Sequence, residues 1–211
     1  MPKLSMRWSK DPLGYEIKYP DSSRVPSRRR TVLTDQFDAT IAPKSGQSFF
    51  YDPFAMPGLL ARLASCRTVS DVLEFVNHYG FLREQKDAYS LRFFHYEVKV
   101  ARSVVEAKRL GRWHVLYNWM RENSHTIRLN PVLLEADPPE LFFQPTTLSD
   151  AAYLQFFEEV ATRTQLKLCA RPGCGEWFKY GPGTSHRNTA QYCSPRCQKA
   201  HAYVKLKEGQ S

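Results

Sequence analysis

Four cysteines carry the chemistry that is most legible in this chain. Cys169 and Cys174 are separated by four residues, Cys193 and Cys197 by three, and 18 residues lie between the pairs. A short loop aims two thiolates at one point, and two such loops complete the closed tetrahedron of a structural Zn²⁺. The spacing therefore predicts one zinc ion held by Cys169, Cys174, Cys193 and Cys197. The alternative use of the same residues is a pair of disulfides, which needs an oxidising compartment. The N-terminal run MPKLSMRWSKDPLGYEIKYP has no apolar core segment of the kind a secretory signal carries, so reduced thiols and a cytoplasmic location are the expectation. Cys66 stands apart from the cluster and reads as a small buried hydrophobe.

Elements must bring the two pairs together. Pro172 and Gly173 bend the backbone between Cys169 and Cys174, and Gly175 leaves room beside the second cysteine. Glu176–Tyr180 reads as a strand, Gly181-Pro182-Gly183 as a hairpin turn, and Thr189–Tyr192 as the returning strand. Ser194 is suited to an N-cap and Pro195 to the first turn of a terminal helix. Knuckle, hairpin and helix in that order make a treble clef. His186 and His201 lie nearby as possible substitutes for a thiolate or as polar surface residues.

The layout Cys169-x4-Cys174-Gly-Glu-Trp-Phe followed by Tyr192-Cys-Ser-Pro-Arg-Cys197 resembles the bacterial treble-clef zinc fingers of the CGNR type. In that family the finger follows a mostly helical domain called ABATE. The resemblance covers the last 45 or so residues and implies a DNA-binding transcriptional regulator, favouring DNA over RNA. The Gly-Asn-Arg that follows the last family cysteine is Gln198-Lys199-Ala200 here.

The residues themselves also point to a polyanion. The chain carries a formal +9, unevenly spread: residues 1–30 hold eight Lys or Arg against three acids, and residues 167–211 eight against two. Clustered positive charge beside a compact fold is the footprint of a nucleic-acid partner. At about 100° per residue, Arg196, Lys199, Tyr203 and Lys207 share one narrow face of the terminal helix, with Cys197, Ala200 and Val204 on the inward side. Such a face tracks phosphates through its cations while the tyrosine stacks or packs on sugar, and Arg187 extends it. Arg28-Arg29-Arg30 is a weaker candidate for the same work.

Upstream, the pattern predicts an α+β, mainly helical unit with short strands. Residues 1–55 read as a basic arm with strands at Tyr15–Tyr19, Thr31–Thr34 and Ser48–Tyr51, residues 56–166 as a mainly helical domain with a hairpin, and 167–211 as the finger. Helices are expected around Leu59–Leu63, from a cap at Thr68 to Gly80, from Leu91 to Gly111, from Trp113 to Asn123, and from a cap at Ser149 onward with Tyr153, Leu154, Phe157, Val160 and Ala161 inward. The aromatics Trp113 and Tyr117 read as core. With no glycine-rich linker between Val160 and Cys169, the finger is expected to be docked against the helical unit or rigidly continuous with it.

Two other functional classes remain open at this level. A protein-interaction or homodimerisation module would expose the central aromatics. A nuclease would need acid–base groups such as His95, His114, Glu158, Glu159 or His186, whose spacing is not diagnostic, and a saturated four-thiolate site leaves no coordination position for water. No stretch approaches the roughly 18 apolar residues of a membrane span, so no membrane partner is expected.

Overall fold

The computed structural model describes residues 3–4, 6, 8–19, 39–83, 88–123, 127–134, 140–162, 164–181 and 184–208. The triple arginine 28–30 and the predicted strand 31–34 lie outside them. The chain divides into two compact units, Met1–Leu154 and Gln155–Ser211. Helix and strand are mixed, in agreement with the α+β expectation.

Among the described residues, the strands of unit 1 are short and pair in three small sheets. β2 (Trp8–Lys10) pairs antiparallel with β5 (Phe49–Tyr51). β3 (Tyr15–Lys18) pairs with β4 (Thr40–Pro43), which pairs with β6 (Tyr89–Ser90). β7 (Leu129–Leu134) and β8 (Glu140–Pro145) pair antiparallel as the hairpin expected within residues 56–166, and β1 (Lys3–Leu4) adds to β8 in parallel. The turn between β2 and β3 is pinned by Asp11, 3 % exposed, whose carboxylate accepts from Leu13 N (2.8 Å), Ser45 Oγ (2.8 Å), Ser45 N (2.7 Å) and Gly46 N (2.9 Å). Burial pushes this carboxyl up, but the hydrogen bonds outweigh it and hold the group below its usual range.

Among the described residues, the α-helices lying wholly in this unit are α1 (Leu59–Ser65), α2 (Val69–Tyr79), α3 (Leu91–Arg109) and α4 (Trp113–Asn123). α2 begins where the sequence placed it. Thr68 Oγ1 accepts from Asp71 N at 3.1 Å while Asp71 Oδ2 accepts from Thr68 N at 2.8 Å, a reciprocal capping box that satisfies two orphan donors. It ends at Gly80, whose φ of +81° and close approach to Ser9 exclude a side chain: a Cβ there would meet the Ser9 carbonyl oxygen at 2.6 Å. Leu59, Leu63, Val72, Val76, Leu91, Phe94, Val98 and Leu116 are fully buried, and α3 packs on α1 through this core. Arg102 of α3 donates to the carbonyls of Ala64 (3.2 Å) and Cys66 (2.7 Å), closing the C-terminal end of α1. Cys66 is buried as expected, and desolvation pushes its thiol up to about 12.

Three expectations fail here. Trp113 and Tyr117 are not core: they are 56 % and 66 % exposed, and Leu116 is the buried residue of α4. Periodicity located the helix but could not say which of two apolar faces turned inward. The cap of α5 (Leu148–Ala161) is Thr147, not Ser149; Asp150 N donates to Thr147 Oγ1 at 3.0 Å and the hydroxyl donates back to the Asp150 carboxylate at 2.7 Å. The inward face of α5 is also rotated: Ala151, Ala152, Tyr153, Gln155, Phe156 and Glu159 are buried, whereas Leu154, Phe157 and Val160 are half-buried and Ala161 is exposed. Burial of Gln155 and Glu159 is what an apolar pattern cannot foresee. Ser149 instead donates to the buried Glu97 carboxylate at 3.5 Å, which also binds Arg83 at 3.0 Å. Among the described residues, no helix is long and apolar enough to cross a membrane.

Candidate metal centre

Unit 2 holds the end of α5, β9 (Gln165–Leu168), β10 (Trp177–Tyr180) and α6 (Pro195–Glu208). β9 and β10 pair antiparallel, Leu168 opposite Trp177 and Gln165 opposite Tyr180. The Cys169–Cys174 loop is therefore the tip of this hairpin. The predicted returning strand at 189–192 does not form; that segment instead accepts from Ala170 N at Gln191 O (2.8 Å) and from Lys167 Nζ at Ala190 O (3.1 Å). The expectation fails because the alternating run Gln165-Leu-Lys-Leu168, directly before the first cysteine, is itself a strand signal and takes the edge of β10 instead.

Local backbone bonds shape the first half of the site. Cys169 N donates to Glu176 O at 2.8 Å, extending the β9–β10 ladder by one rung, and Cys174 N donates to Arg171 O at 3.1 Å to close the turn. Gly173 and Gly175 both have positive φ, +72° and +67°. A Cβ on Gly175 would meet nothing within 4 Å, so it is the left-handed backbone, and not room beside Cys174, that calls for glycine. The second half is set by α6. Ser194 caps it, its Oγ accepting from Cys197 N at 3.3 Å and its carbonyl from Gln198 N at 3.2 Å, with Pro195 as the first helical residue.

The four sulfurs converge, all lying within 4.8 Å of one another. Cys174 Sγ is 3.8 Å from Cys193 Sγ and 3.6 Å from Cys197 Sγ, and Cys193 Sγ is 3.5 Å from Cys197 Sγ. A tetrahedron of thiolates about 2.3 Å from a central ion has edges of about 3.8 Å. A disulfide would need a sulfur separation of about 2.05 Å, and all four cysteines are free. The arrangement is a four-cysteine cluster that can hold a metal ion. Cys169 and Cys197 are buried, and Cys174 and Cys193 are half-buried.

The electrostatics point the same way. The Ser194 hydroxyl draws the Cys197 thiol down to about 7, while burial, followed by the neighbouring thiols, pushes Cys193 up to about 12. One thiolate forms readily, and the next is opposed by it unless a cation enters. Arg171 offsets part of that charge: its guanidinium is held protonated first by Cys197 and also by a hydrogen bond to Cys174.

Both histidines take roles other than ligation. His186 Nε2 is 3.1 Å from Cys193 O and its Nδ1 is 3.1 Å from Ser185 Oγ, while His201 Nδ1 is 3.2 Å from Tyr192 Oη. The metal-holding group contains cysteines only.

Of the residues predicted to meet nucleic acid, Arg196, Lys199 and Tyr203 are exposed on α6, and Arg187 is exposed in the loop before it. Lys207 lies within α6, its side chain outside the described set. Val204, expected to face inward, is 46 % exposed, because α6 leaves its apolar stripe uncovered one turn beyond Ala200. No family model matches the chain, and no curated protein matches it.

Proposed function

We propose that the four-cysteine cluster binds one structural Zn²⁺ and that the metal-anchored helix α6 is a nucleic-acid contact surface, in the manner of the treble-clef CGNR fingers that the sequence resembles. Zinc suits the donor set, since four thiolates at tetrahedral spacing are its preferred closed site. The observation that carries the nucleic-acid reading is the coupling of two features on one helix. Cys197, in the first turn of α6, belongs to the cluster, and Arg196 and Lys199 are exposed on the flanking face with Tyr203 one turn on. A metal that fixes that turn therefore fixes the direction in which the cations project. Arg196, Lys199, Lys207 and Arg187 would bind phosphates and Tyr203 would pack on sugar or base, with duplex DNA as the favoured target and regulation of transcription as the resulting role. Fluorescence anisotropy of the metal-loaded chain with labelled random duplex DNA and with single-stranded RNA tests this reading. Salt-sensitive binding supports it, and absence of binding at low salt refutes it.

The exposed aromatics of α4 favour a second reading, a protein-interaction or self-association module whose metal only maintains the fold. Trp113, Tyr117 and the adjacent Leu110 are 56 %, 66 % and 45 % exposed, a large apolar area for a free surface. Under this reading the double variant Trp113→Ser/Tyr117→Ser lowers the mass measured by light scattering. A wild-type chain that is monomeric at high concentration removes self-association.

A further inference from the structure

We infer that His186 is a positioning residue of the metal centre, a brace that sets the Cys193–Cys197 half of the site through the Cys193 carbonyl. The inference rests on the reading of the cluster as a metal site and extends it to a residue outside the ligand set.

A carbonyl oxygen only accepts, so the 3.1 Å contact to Cys193 O requires the proton on Nε2. Nδ1 then accepts from the Ser185 hydroxyl at 3.1 Å. Both nitrogens are thus committed and no lone pair is left for a metal. The ring packs against Phe178 of β10, centroids 4.9 Å apart, and Phe178 is itself buried. The backbone of the histidine is equally fixed: His186 O accepts from Gly181 N at 3.0 Å, and the single Thr184 hydroxyl proton is shared between His186 O and Gly181 O, each 2.9 Å away. A knitted loop therefore presents one oriented N–H to one carbonyl.

The position of that carbonyl matters. The first cysteine pair is shaped by its own hairpin, but Cys193 sits in coil just before α6. Its peptide leads directly into Ser194, the cap, and so into the turn that carries Cys197. One hydrogen bond to Cys193 O thus constrains two of the four thiolates and the start of α6. Groups that orient ligands in this way commonly change metal affinity about 10- to 100-fold when removed.

The test compares wild type, His186→Ala and His186→Gln, the last placing an amide N–H near the Nε2 position. Each is titrated with Co²⁺, read by thiolate-to-cobalt charge transfer and by the visible ligand-field bands, and with Zn²⁺ against a chromophoric chelator. The expected result is one metal per chain in all three, an unchanged four-thiolate cobalt spectrum, affinity lowered about 10- to 100-fold in His186→Ala, and recovery of most of it in His186→Gln. If His186→Ala binds no metal while His186→Gln binds it, the brace is supported in stronger form. Affinity of His186→Ala within about twofold of wild type overturns the inference while leaving the metal reading intact. A cobalt spectrum that changes ligand set in the variants also overturns it, because His186 would then be a ligand. A wild-type chain that binds neither metal overturns the underlying reading and this inference together.

Discussion

Reversing the charge of the α6 face gives the proposed nucleic-acid function a quantitative form. If Arg187, Arg196, Lys199 and Lys207 each neutralise one phosphate of B-DNA, the slope of log affinity against log salt is about −3.6, from about −0.9 per contact. Raising salt from about 50 to about 200 mM should then weaken binding roughly 150-fold. The variant Arg196→Glu/Lys199→Glu/Lys207→Glu leaves Arg187 as the remaining cation of the set. Its slope should fall to about −0.9, its loss over the same salt range to roughly 3.5-fold, and its binding at low salt should be far weaker than wild type. Arg196 and Lys199 are exposed and are not among the residues that could hold the metal, so metal content and thermal midpoint should be preserved. The assay is fluorescence anisotropy on one random duplex across the salt series, with zinc stoichiometry measured on each sample. A variant that keeps the wild-type slope would refute the assignment of these residues. The polyanion would then be held elsewhere, most simply by the first 30 residues, with eight Lys or Arg against three acids.

Cys193→Ser should lose stoichiometric zinc and the folded signal of unit 2, because closed thiolate sites contribute directly to folding; full retention by elemental analysis would sink the ligand assignment. Metal retention should also weaken as pH falls, since protons compete for every thiolate, and a chelator should strip the wild-type chain faster at about pH 5 than at about pH 8. Asp11→Asn should destabilise unit 1 by about 1–3 kcal/mol in denaturant melts, because its amide NH₂ must face either the Ser45 and Gly46 N–H groups or the Leu13 N–H beside the Ser45 hydroxyl, so at least one N–H donor loses its acceptor. In the wild type this contribution has a defined pH sense. The folded carboxyl lies below its ordinary 3.8, so the stabilisation is present above that pH and is lost as pH falls through the folded value. The variant's stability should be correspondingly flatter in acid.

What the sequence made legible is what local rules control. The Thr68 start and Gly80 stop of α2 follow from capping chemistry and from a left-handed backbone position, and the four cysteines follow from ligand spacing. What it concealed depends on partners distant in sequence. Tyr117 and Leu116 are adjacent and both apolar, yet the first is exposed and the second buried, and only the helices beneath α4 decide between them. Glu159 reads as a surface acid on a helix and is 3 % exposed. Likewise the sequence pattern assigns Thr189–Tyr192 as the partner of β10, whereas the partner is Gln165–Leu168, the segment before it. The connections before and after β10, 169–176 and 181–188, are each eight residues long, so closure length does not choose between them; the observed pairing is with β9, and the Cys169–Cys174 loop lies at its tip.

This placement changes how the finger must work. With the first cysteine pair on a hairpin tip and the second at the start of α6, the four-cysteine cluster is the joint between a strand pair and a helix, and among the described residues the side-chain ties across that joint are few. Lys167 Nζ of β9 donates to Ala190 O at 3.1 Å, and His186 reaches Cys193 O from the loop after β10. Residues 182–183 aside, the chain from Gly181 to Ser194 is turn and coil, and among the described residues no ladder holds α6 to β9 and β10. Orientation of α6 must therefore come from the thiolate cluster and its braces. A helix whose cations contact phosphates needs a fixed orientation to bind in one register, and a helix that merely repels other proteins does not. Under the proposed function, that difference would give a bound metal a purpose beyond stability. Stripping it should cost duplex affinity even under osmolyte conditions that keep the rest of the chain folded, whereas binding that survives metal removal with an unchanged salt slope would mean that α6 is not the contact surface.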